Sequence, residues 1–446
     1  MSVAAEISDD MRVGATDSDK KRIRRAVLTS VIGQILEWYD FFLYGTAAAS
    51  VFGTIFFPIG VDPLTGTIAA FGGLAAGFVA RPLGGILCGH FGDKYGRRAV
   101  MMLTLGAMGS STFLMGLIPS YAQIGLAAPV LLVALRLVQG LAAGGEWSGS
   151  ILLISENAPQ HKRARLSAWS PSGAVIGFAL STGAFMLAQR FSGENFLTWG
   201  WRVPFLLSLV MIGIGVYLRS HIAESADFAK ISKEGKIAHA PLVDVLRTCP
   251  GRVLMVFGLR LGEGTASWIF FAFSIAFGKF SGISDQLVYS GLIISMLLSI
   301  PVSLFSGYVS DIVGRKPVYL VGAVGIVALA YPFFALFQTG TTSAVMTALI
   351  LANSLVLGTL QGAQPAFISE LLPPRLRYSG LGIGRELSSV LGAGFAPVIA
   401  TALLAHYRTI GPIALYLAAL GMVTVVATLI APETYPRDAR MRDRLA

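Results

Sequence analysis

Charged side chains are scarce in this sequence. Asp, Glu, Lys and Arg together make up 13% of its 446 residues, whereas hydrophobic residues make up 54%. A soluble domain uses about a quarter charged residues to cover its surface, so this shortage excludes an ordinary water-soluble fold. Lipid is the solvent that the composition suits.

Cysteine is almost missing as well. Cys88 and Cys249 lie far apart and in no metal-ligand spacing, so neither a disulfide framework nor a zinc site is expected. The sequence also lacks a clustered His, Cys and Asp set, a nucleophile elbow and a phosphate-binding loop, which argues against an enzyme. Its N-terminus has no short apolar core with a small-residue cleavage site, so we expect no cleaved signal peptide.

Long apolar stretches are what the sequence has instead. A spanning helix needs roughly 20 mainly apolar residues. By that measure the sequence predicts an all-α membrane protein with twelve spans, an even number that places both termini on one side. The predicted spans are 27–52, 66–91, 98–119, 126–151, 165–188, 202–220, 252–279, 287–310, 317–338, 342–366, 379–404 and 412–431.

The net charge of +10 falls on one side of these spans. Of the 34 Lys and Arg residues, 26 lie in segments on the side of the termini, four in segments on the other side and four within spans. Inner loops carry such an excess in membrane proteins, so we expect both termini to be cytoplasmic. Because the positive charge is spread over these loops, it indicates a lipid bilayer and no nucleic acid as partner.

The longest inner connection divides the chain into two parts. Residues 221–250 are polar, mixed in charge and near the middle of the sequence, which is typical of a linker. We therefore expect an N-terminal tail (1–26), a first six-helix bundle (27–220), this linker, a second six-helix bundle (251–432) and a C-terminal tail (433–446).

The two parts repeat each other. The segment from Gly89 to Arg98, GHFGDKYGRR, returns 218 residues later as the segment from Gly307 to Lys316, GYVSDIVGRK. The pattern Glu-x-x-Pro-x-x-x-Arg that begins at Glu156 likewise returns at Glu370. Internal repeats with a binding site at their interface are the construction of secondary transporters.

A duplicated G-x-x-x-D-[R/K]-x-G-R-[R/K] loop is the signature of the major facilitator superfamily. With it, the sequence resembles the metabolite:proton symporter family, and within that family the shikimate permease branch, over about residues 27–432. The motifs that carry this resemblance are Glu37-Trp38-Tyr39-Asp40-Phe41-Phe42-x-Tyr44-Gly45, Ala80-Arg81-Pro82-Leu83-Gly84-Gly85, Arg136-x-x-Gln139-Gly140-x-x-x-Gly144-Gly145-Glu146-Trp147, Gly200-Trp201-Arg202-Val203-Pro204-Phe205 and Arg377-Tyr378-Ser379-Gly380.

The resemblance implies a major facilitator fold that works by alternating access and is coupled to inward proton flow. It also implies a monomer in the bacterial cytoplasmic (inner) membrane, with protons as the coupling ion and no cofactor. We expect a proton-coupled symporter that imports a small organic acid, shikimate-like or another carboxylate. The alternatives are a uniporter or exchanger of the same fold, or a proton symporter of a zwitterionic osmolyte such as proline or betaine.

Ionisable groups inside spans cost several kcal/mol or more each, so each one is a functional candidate. Asp40 lies about 13 residues into its span, roughly 20 Å deep and near the midplane. Glu37 is three residues earlier, so both carboxylates share one helix face. Two neighbouring acids in a low dielectric do not both ionise readily, which is the property that proton coupling requires. We therefore expect Asp40, and next to it Glu37, to carry the coupled proton.

Arginines inside the spans supply the binding chemistry. Arginine keeps its charge and offers a planar fork of donors that suits a carboxylate. We expect Arg136 to line the cavity opposite Asp40, and Arg81 to be a partner of an acid.

In the second half, the i and i+3 spacing of Arg260 and Glu263 fits an intrahelical pair or an arginine held on the substrate by the acid. Arg385 and Glu386 project about 100° apart on their helix and are not expected to pair well. An additional arginine there favours a substrate with one or more carboxylates.

Several other residues complete the predicted site. The candidates for substrate binding are Arg136, Tyr44, Trp147, Arg260, Gln361, Gln364 and Arg385. The candidates for charge partners are Arg81, Glu146, Glu263 and Glu386. The resemblance implies that the duplicated loop latches the inner face: Asp93 accepts hydrogen bonds at a helix N-terminus, where the dipole favours an anion. Ile312 replaces a basic residue in the second copy, which predicts a weaker latch there. The gating candidates are Asp93, Arg97, Arg98, Asp311 and Arg315.

Overall fold

The computed structural model describes residues 17–58, 62–95, 97–144, 154, 158–220, 247–373 and 377–435. Regular structure within these ranges is entirely helical. Eight of the helices are long and apolar enough to cross a membrane, and three shorter apolar helices lie among them. Together with the helix that begins at Asp17, they account for the predicted twelve.

The twelve helices follow one another along the chain. In chain order they are α1 (Asp17–Ala47), α2 (Pro63–Tyr95), α3 (Arg97–Leu117), α4 (Ala127–Ala143), α5 (Arg163–Phe196), α6 (Ser208–Ser220), α7 (Pro250–Phe280), α8 (Asp285–Val313), α9 (Arg315–Gln338), α10 (Thr342–Glu370), α11 (Gly380–Tyr407) and α12 (Gly411–Ile430). Most of their bounds agree with the predicted spans to within about five residues. However, α1 begins ten residues earlier, α6 begins six residues later and α5 ends eight residues later than predicted, and the predicted end of α4 lies outside the described residues.

The first helix begins earlier than predicted. It starts at Asp17, so the basic run Lys20–Arg25 forms its first turns and is not part of a tail. The predicted span starts at residue 27 because the prediction counts apolar residues only. A helix can extend beyond its apolar part, so its first residue can lie earlier in the sequence. The predicted linker lies mostly outside the described residues.

Glycines set the close packing of α2 on α4. A Cβ atom added to Gly84 would lie 2.0 Å from the Leu141 carbonyl oxygen, and one added to Gly144 would lie 2.0 Å from the Arg81 carbonyl oxygen. Only a residue without a side chain permits this approach of two backbones. The contact fixes α2 and α4, and with them two buried arginines, relative to each other.

The two halves meet through α2 and α5 of the first half and α8 and α11 of the second. We call the face where α1 begins and α12 ends the terminal face of the protein. Four π-helical turns occur within the described residues, at Ala48–Phe52 directly after α1, Ile269–Phe273 in α7, Ile350–Leu357 in α10 and Ser389–Gly394 in α11. Such turns often accompany functional sites, and the one in α11 follows directly after a buried ion pair.

Candidate functional site

Arg136 is enclosed within the first half. Its guanidinium carbon lies 4.5 Å from the ring centre of Phe41 and 4.2 Å from that of Tyr44, and the group donates to Gln139 Oε1. Gly77 provides the room, because a Cβ there would come within 2.7 Å of Arg136 Nε. The geometry suits a fixed positive charge inside the bundle.

Asp40 lies beside this fixed charge. Its side chain is 4% exposed, next to Thr112 and within electrostatic range of Arg136. Gln139 connects the two residues, since its Nε2 donates to Thr112 Oγ1 over 2.8 Å. Within the described residues, Asp40 Oδ1 has no hydrogen-bond partner and no ion pair includes Asp40. A buried carboxyl of this kind can gain or lose a proton without breaking a salt bridge.

Glu37 is held differently. Its Oε1 lies 3.2 Å from Arg81 Nη2, and its Oε2 accepts from Gln34 Nε2 over 3.3 Å. The same Gln34 accepts a hydrogen bond from Trp38 Nε1 over 2.9 Å. Glu37 and Asp40 therefore share a helix face as predicted, but only Glu37 is locked in an ion pair.

Arg81 joins the two halves of the protein. Besides Glu37 of α1, it pairs through Nε with Glu386 Oε2 of α11 over 3.0 Å. Both side chains of this second pair are nearly inaccessible to solvent. Arg81 is thus a charge partner, as the sequence predicts, and its ion pair with Glu386 crosses from one half to the other.

The prediction that Arg385 and Glu386 do not pair is wrong. Arg385 Nη1 contacts Glu386 Oε1 directly. The two Cα–Cβ bonds diverge on the helix, but their long side chains bend to a common point. The buried surroundings strongly favour neutralisation of both charges there. Glu386 consequently bridges Arg385 of its own half and Arg81 of the other.

The second half holds a self-contained polar cluster. Arg260 Nη1 pairs with Glu263 Oε2 over 2.8 Å and also donates to Gln364 Oε1. Gln364 Nε2 then donates to the Tyr319 hydroxyl over 3.1 Å, and Tyr319 donates to the Leu259 carbonyl oxygen over 2.8 Å. The intrahelical pair is present, and Gln364 is engaged by protein groups. Gln361 is half-buried on the same helix.

Aromatic rings from both halves fill the interface beside the ion pairs. Phe42 of α1 lies 5.9 Å from Trp268 of α7, and Phe78 of α2 meets the same Trp268 edge-on at 5.3 Å. Phe271 receives edge contacts from Phe42 and Phe178, each at 5.0 Å. We call these five rings the interface aromatic cluster.

Charged residues join the two halves at the terminal face, and we call these contacts the latch. Asp311 at the end of α8 accepts hydrogen bonds from the backbone N–H groups of Ala164 (3.2 Å) and Arg165 (2.9 Å) at the start of α5. Arg315 pairs with Asp311 and, over 3.3 Å, with Glu370. This is the contact at a helix N-terminus that the resemblance implies for the duplicated loop. The exposed Ile312 takes no part in it.

Residues after α12 join this latch. Glu433 accepts from the backbone N–H groups of Arg315 (2.9 Å) and Lys316 (3.2 Å), and Thr434 donates to Glu370 over 2.8 Å. The buried Tyr435 ring lies 4.9 Å from the Arg315 guanidinium carbon. The sequence predicts a C-terminal tail from residue 433 and none of these contacts, although the repeat of Glu156 at Glu370 is a signal for one partner.

The sequence of this chain matches the model of a known protein family. The family model described as the Major Facilitator Superfamily matches residues 30–397 and 293–444. The chain belongs to the major facilitator superfamily. It is therefore a membrane transporter and not an enzyme.

Two relatives from Escherichia coli (strain K12) resemble this major facilitator protein over nearly its whole length. The shikimate transporter is 36% identical over 419 residues, covering 93% of this chain and 95% of its own. The inner membrane metabolite transport protein YhjE is 37% identical over 420 residues, covering 92% and 94%.

A solved structure confirms the fold. The partially occluded inward-open xylose transporter XylE from E. coli superposes with a TM-score of 0.71 at 17% identity, covering 94% of this chain and 99% of its own.

Some predicted site residues of this major facilitator protein fall outside the description. Glu146 and Trp147 lie outside the described residues, as do the side chains of Asp93, Arg97 and Arg98. Tyr44 lies within the described residues. Its hydroxyl donates to the Ala70 carbonyl oxygen over 3.2 Å, and the Arg136 guanidinium lies over its ring. Among the described residues, no group of three or more His, Cys, Asp or Glu side chains could hold a metal ion.

Proposed function

We propose that this protein is a proton-coupled symporter that imports a small organic acid by alternating access. The observation that carries the proposal is Asp40, a buried carboxyl beside a fixed arginine. Within the described part of the chain, one of its oxygens accepts no hydrogen bond and no ion pair includes it. Protonation of Asp40 removes its attraction to Arg136 and changes the charge within the first half. Such a change is what couples a proton to a conformational step.

Arginines at the interface support an anionic solute. Arg81 and Arg385 converge on Glu386 between the halves, so a carboxylate is the group that this region accommodates. The shikimate transporter among the relatives carries a carboxylic acid by its name, which agrees with this class. Arg136 is enclosed by its own half, which supports a role as partner of Asp40 more than as a substrate ligand.

The setting belongs to the same proposal. We infer a bacterial cytoplasmic membrane, with both termini on the cytoplasmic side and the latch of Asp311 at the inner face. A monomer of two six-helix bundles, 27–220 and 251–432, is the unit that would reorient.

The test uses purified protein in liposomes that contain a pH-sensitive dye. Shikimate, 2-oxoglutarate, citrate, benzoate, proline and betaine are added outside, without an imposed gradient. We expect internal acidification with a carboxylate, and none with Asp40→Asn. Solute entry without a pH change would favour the uniporter or exchanger, and acidification by betaine or proline alone would favour the osmolyte symporter.

A further inference from the structure

We propose that Arg81 receives the carboxylate of the transported solute, that Glu386 competes for the same position, and that the solute is a monocarboxylic acid on a flat ring. This inference rests on the proposed function, because it names the ligand class of the same transporter. It assigns substrate recognition to a residue for which the sequence predicts only a charge partner.

Arg81 retains donor capacity that its protein partners do not use. Nη2 donates to Glu37, but the buried Nε makes no hydrogen bond with Glu386 although it lies 3.0 Å from Oε2, and the buried Nη1 has no hydrogen-bond partner among the described residues either. A buried guanidinium N–H without an acceptor is costly. A ligand carboxylate offers two acceptor oxygens in the geometry of the guanidinium fork, so in the place of Glu386 it would satisfy the edge formed by Nε and Nη2.

Glu386 occupies the position from which a ligand carboxylate would approach. Its Oε2 contacts Arg81 and its Oε1 contacts Arg385, so it gives one oxygen to each half. When a ligand takes Arg81, Glu386 keeps its pair with Arg385 in the same helix. The exchange replaces one ion pair by another of the same kind. The exchange also breaks the ion pair of Arg81 with Glu386, which links the two halves. Alternating access requires that this link can break.

The ring is inferred from what surrounds Arg81. Phe78 connects the two regions, since its ring centre lies 5.6 Å from the Arg81 guanidinium carbon and 5.3 Å from that of Trp268. A flat ring attached to the bound carboxylate would therefore lie among the interface aromatic cluster. A linear dicarboxylate would place its second charge against apolar rings, which costs desolvation energy.

A quaternary ammonium group is the competing ligand for aromatic rings, because ring faces attract cations. Two facts argue against it here. Arg81 already lies over the ring faces of Phe41 and Phe78. The contacts of Phe271 with Phe42 and Phe178 are edge-to-face, at 90° and 88°, and ring edges are electropositive. Such surroundings favour another ring.

Equilibrium binding to the purified full-length protein tests the inference, by calorimetry at constant pH and without a membrane gradient. Benzoate and cyclohexanecarboxylate differ in the flatness of the ring, whereas 2-oxoglutarate and betaine probe the alternatives. We expect benzoate to bind most tightly, and Glu386→Gln to tighten its binding several-fold while Arg81→Lys weakens it. Equal or tighter binding of 2-oxoglutarate or betaine, or no gain in Glu386→Gln, would overturn the proposal.

A second set of variants keeps the ion pairs intact. Trp268→Leu should weaken benzoate binding about 3- to 10-fold, and Trp268→Phe should restore most of it, as expected for a ring–ring contact. Phe334→Leu, a buried ring outside the interface aromatic cluster, is the matched control and should leave binding unchanged. Equal effects of the two Trp268 variants would refute the ring. Because no proton movement is measured, failure of proton coupling would leave this test intact.

Discussion

Arg136 in the first half and Arg260 in the second half each have an acid nearby, and the two acids are held in opposite ways. In the second half, Arg260 and Glu263 form a direct ion pair at 2.8 Å, and Gln364 and Tyr319 extend it into a chain that ends on a backbone carbonyl. In the first half, Arg136 is stacked on Phe41 and Tyr44, and Asp40 stays outside the described ion pairs.

This difference separates a permanent charge pair from a titratable site. Neutralising Glu263 would leave Arg260 uncompensated, so the second-half pair resists protonation. The aromatic rings around Arg136 already stabilise its charge through cation–π contacts, so Asp40 is not needed as a permanent counter-ion. We therefore expect the coupled proton to bind and leave in the first half.

The largest expected effect comes from removing the titratable acid. Asp40→Asn should abolish concentrative uptake, because no proton can then drive the cycle, while exchange of internal for external solute continues. Uptake into energised liposomes and counterflow would be measured together. Glu263→Gln is the matched control: it should slow transport but keep solute-dependent acidification. Concentrative uptake by Asp40→Asn would break the comparison.

Replacing Arg136 or Arg260 by lysine tests the same comparison through the positively charged residue of each half. Arg136→Lys should reduce the transport rate about tenfold or more, since charged hydrogen bonds contribute about 1.5–3 kcal/mol and a point charge cannot span two rings and Gln139. Arg260→Lys should cost less, because lysine can still pair with Glu263. Initial uptake rates of both variants, corrected for protein content, decide it. A larger loss in Arg260→Lys would reverse our assignment of the two halves.

A smaller effect is expected at the latch. Asp311→Asn removes the charge from two backbone hydrogen bonds and from the pair with Arg315, a loss of about 1.5–3 kcal/mol. The terminal face should then open more often. The rate at which a thiol reagent modifies the half-buried Cys88 and Cys249 should rise several-fold. An unchanged rate would show that Asp311 does not hold this face.

The smallest effect is expected at Ile312. Its side chain is 53% exposed, and Asp311 makes its contacts without it. Ile312→Lys restores the basic residue of the first loop and should change transport by less than about twofold, because surface substitutions usually stay within about 0.5 kcal/mol. A large gain in transport would mean that the latch at Asp311 is weak, as the replacement of a basic residue by Ile312 predicts.

The fold was predictable because apolar length alone determines where a helix crosses lipid. The shared helix face of Glu37 and Asp40 is predictable as well, because residues three positions apart lie on the same side of a helix. The partners of the charges did not follow, because Arg81 finds Glu386 305 positions later in the sequence, in the other half. No local pattern encodes such a contact.

Two further sets of contacts were not predicted, because they depend on where the ends of the side chains lie in space. Arg385 and Glu386 diverge at Cβ yet meet at their ends. Glu433 and Tyr435 stand in a stretch whose composition suggests a solvated tail, but the N-terminus of α9 supplies unpaired N–H groups that a carboxylate can cap. Both contacts depend on what surrounds a residue in space, which one sequence does not reveal.

The glycine contact between α2 and α4 has a mechanical consequence. Because Gly84 and Gly144 bring two backbones together without intervening side chains, neither helix can slide on the other without a clash. Arg81 on α2 and Arg136 on α4 are therefore mounted on one stiff body. If protonation of Asp40 displaces α4, we expect α2 to move with it, and Arg81 to transmit that movement to Glu386 in the other half.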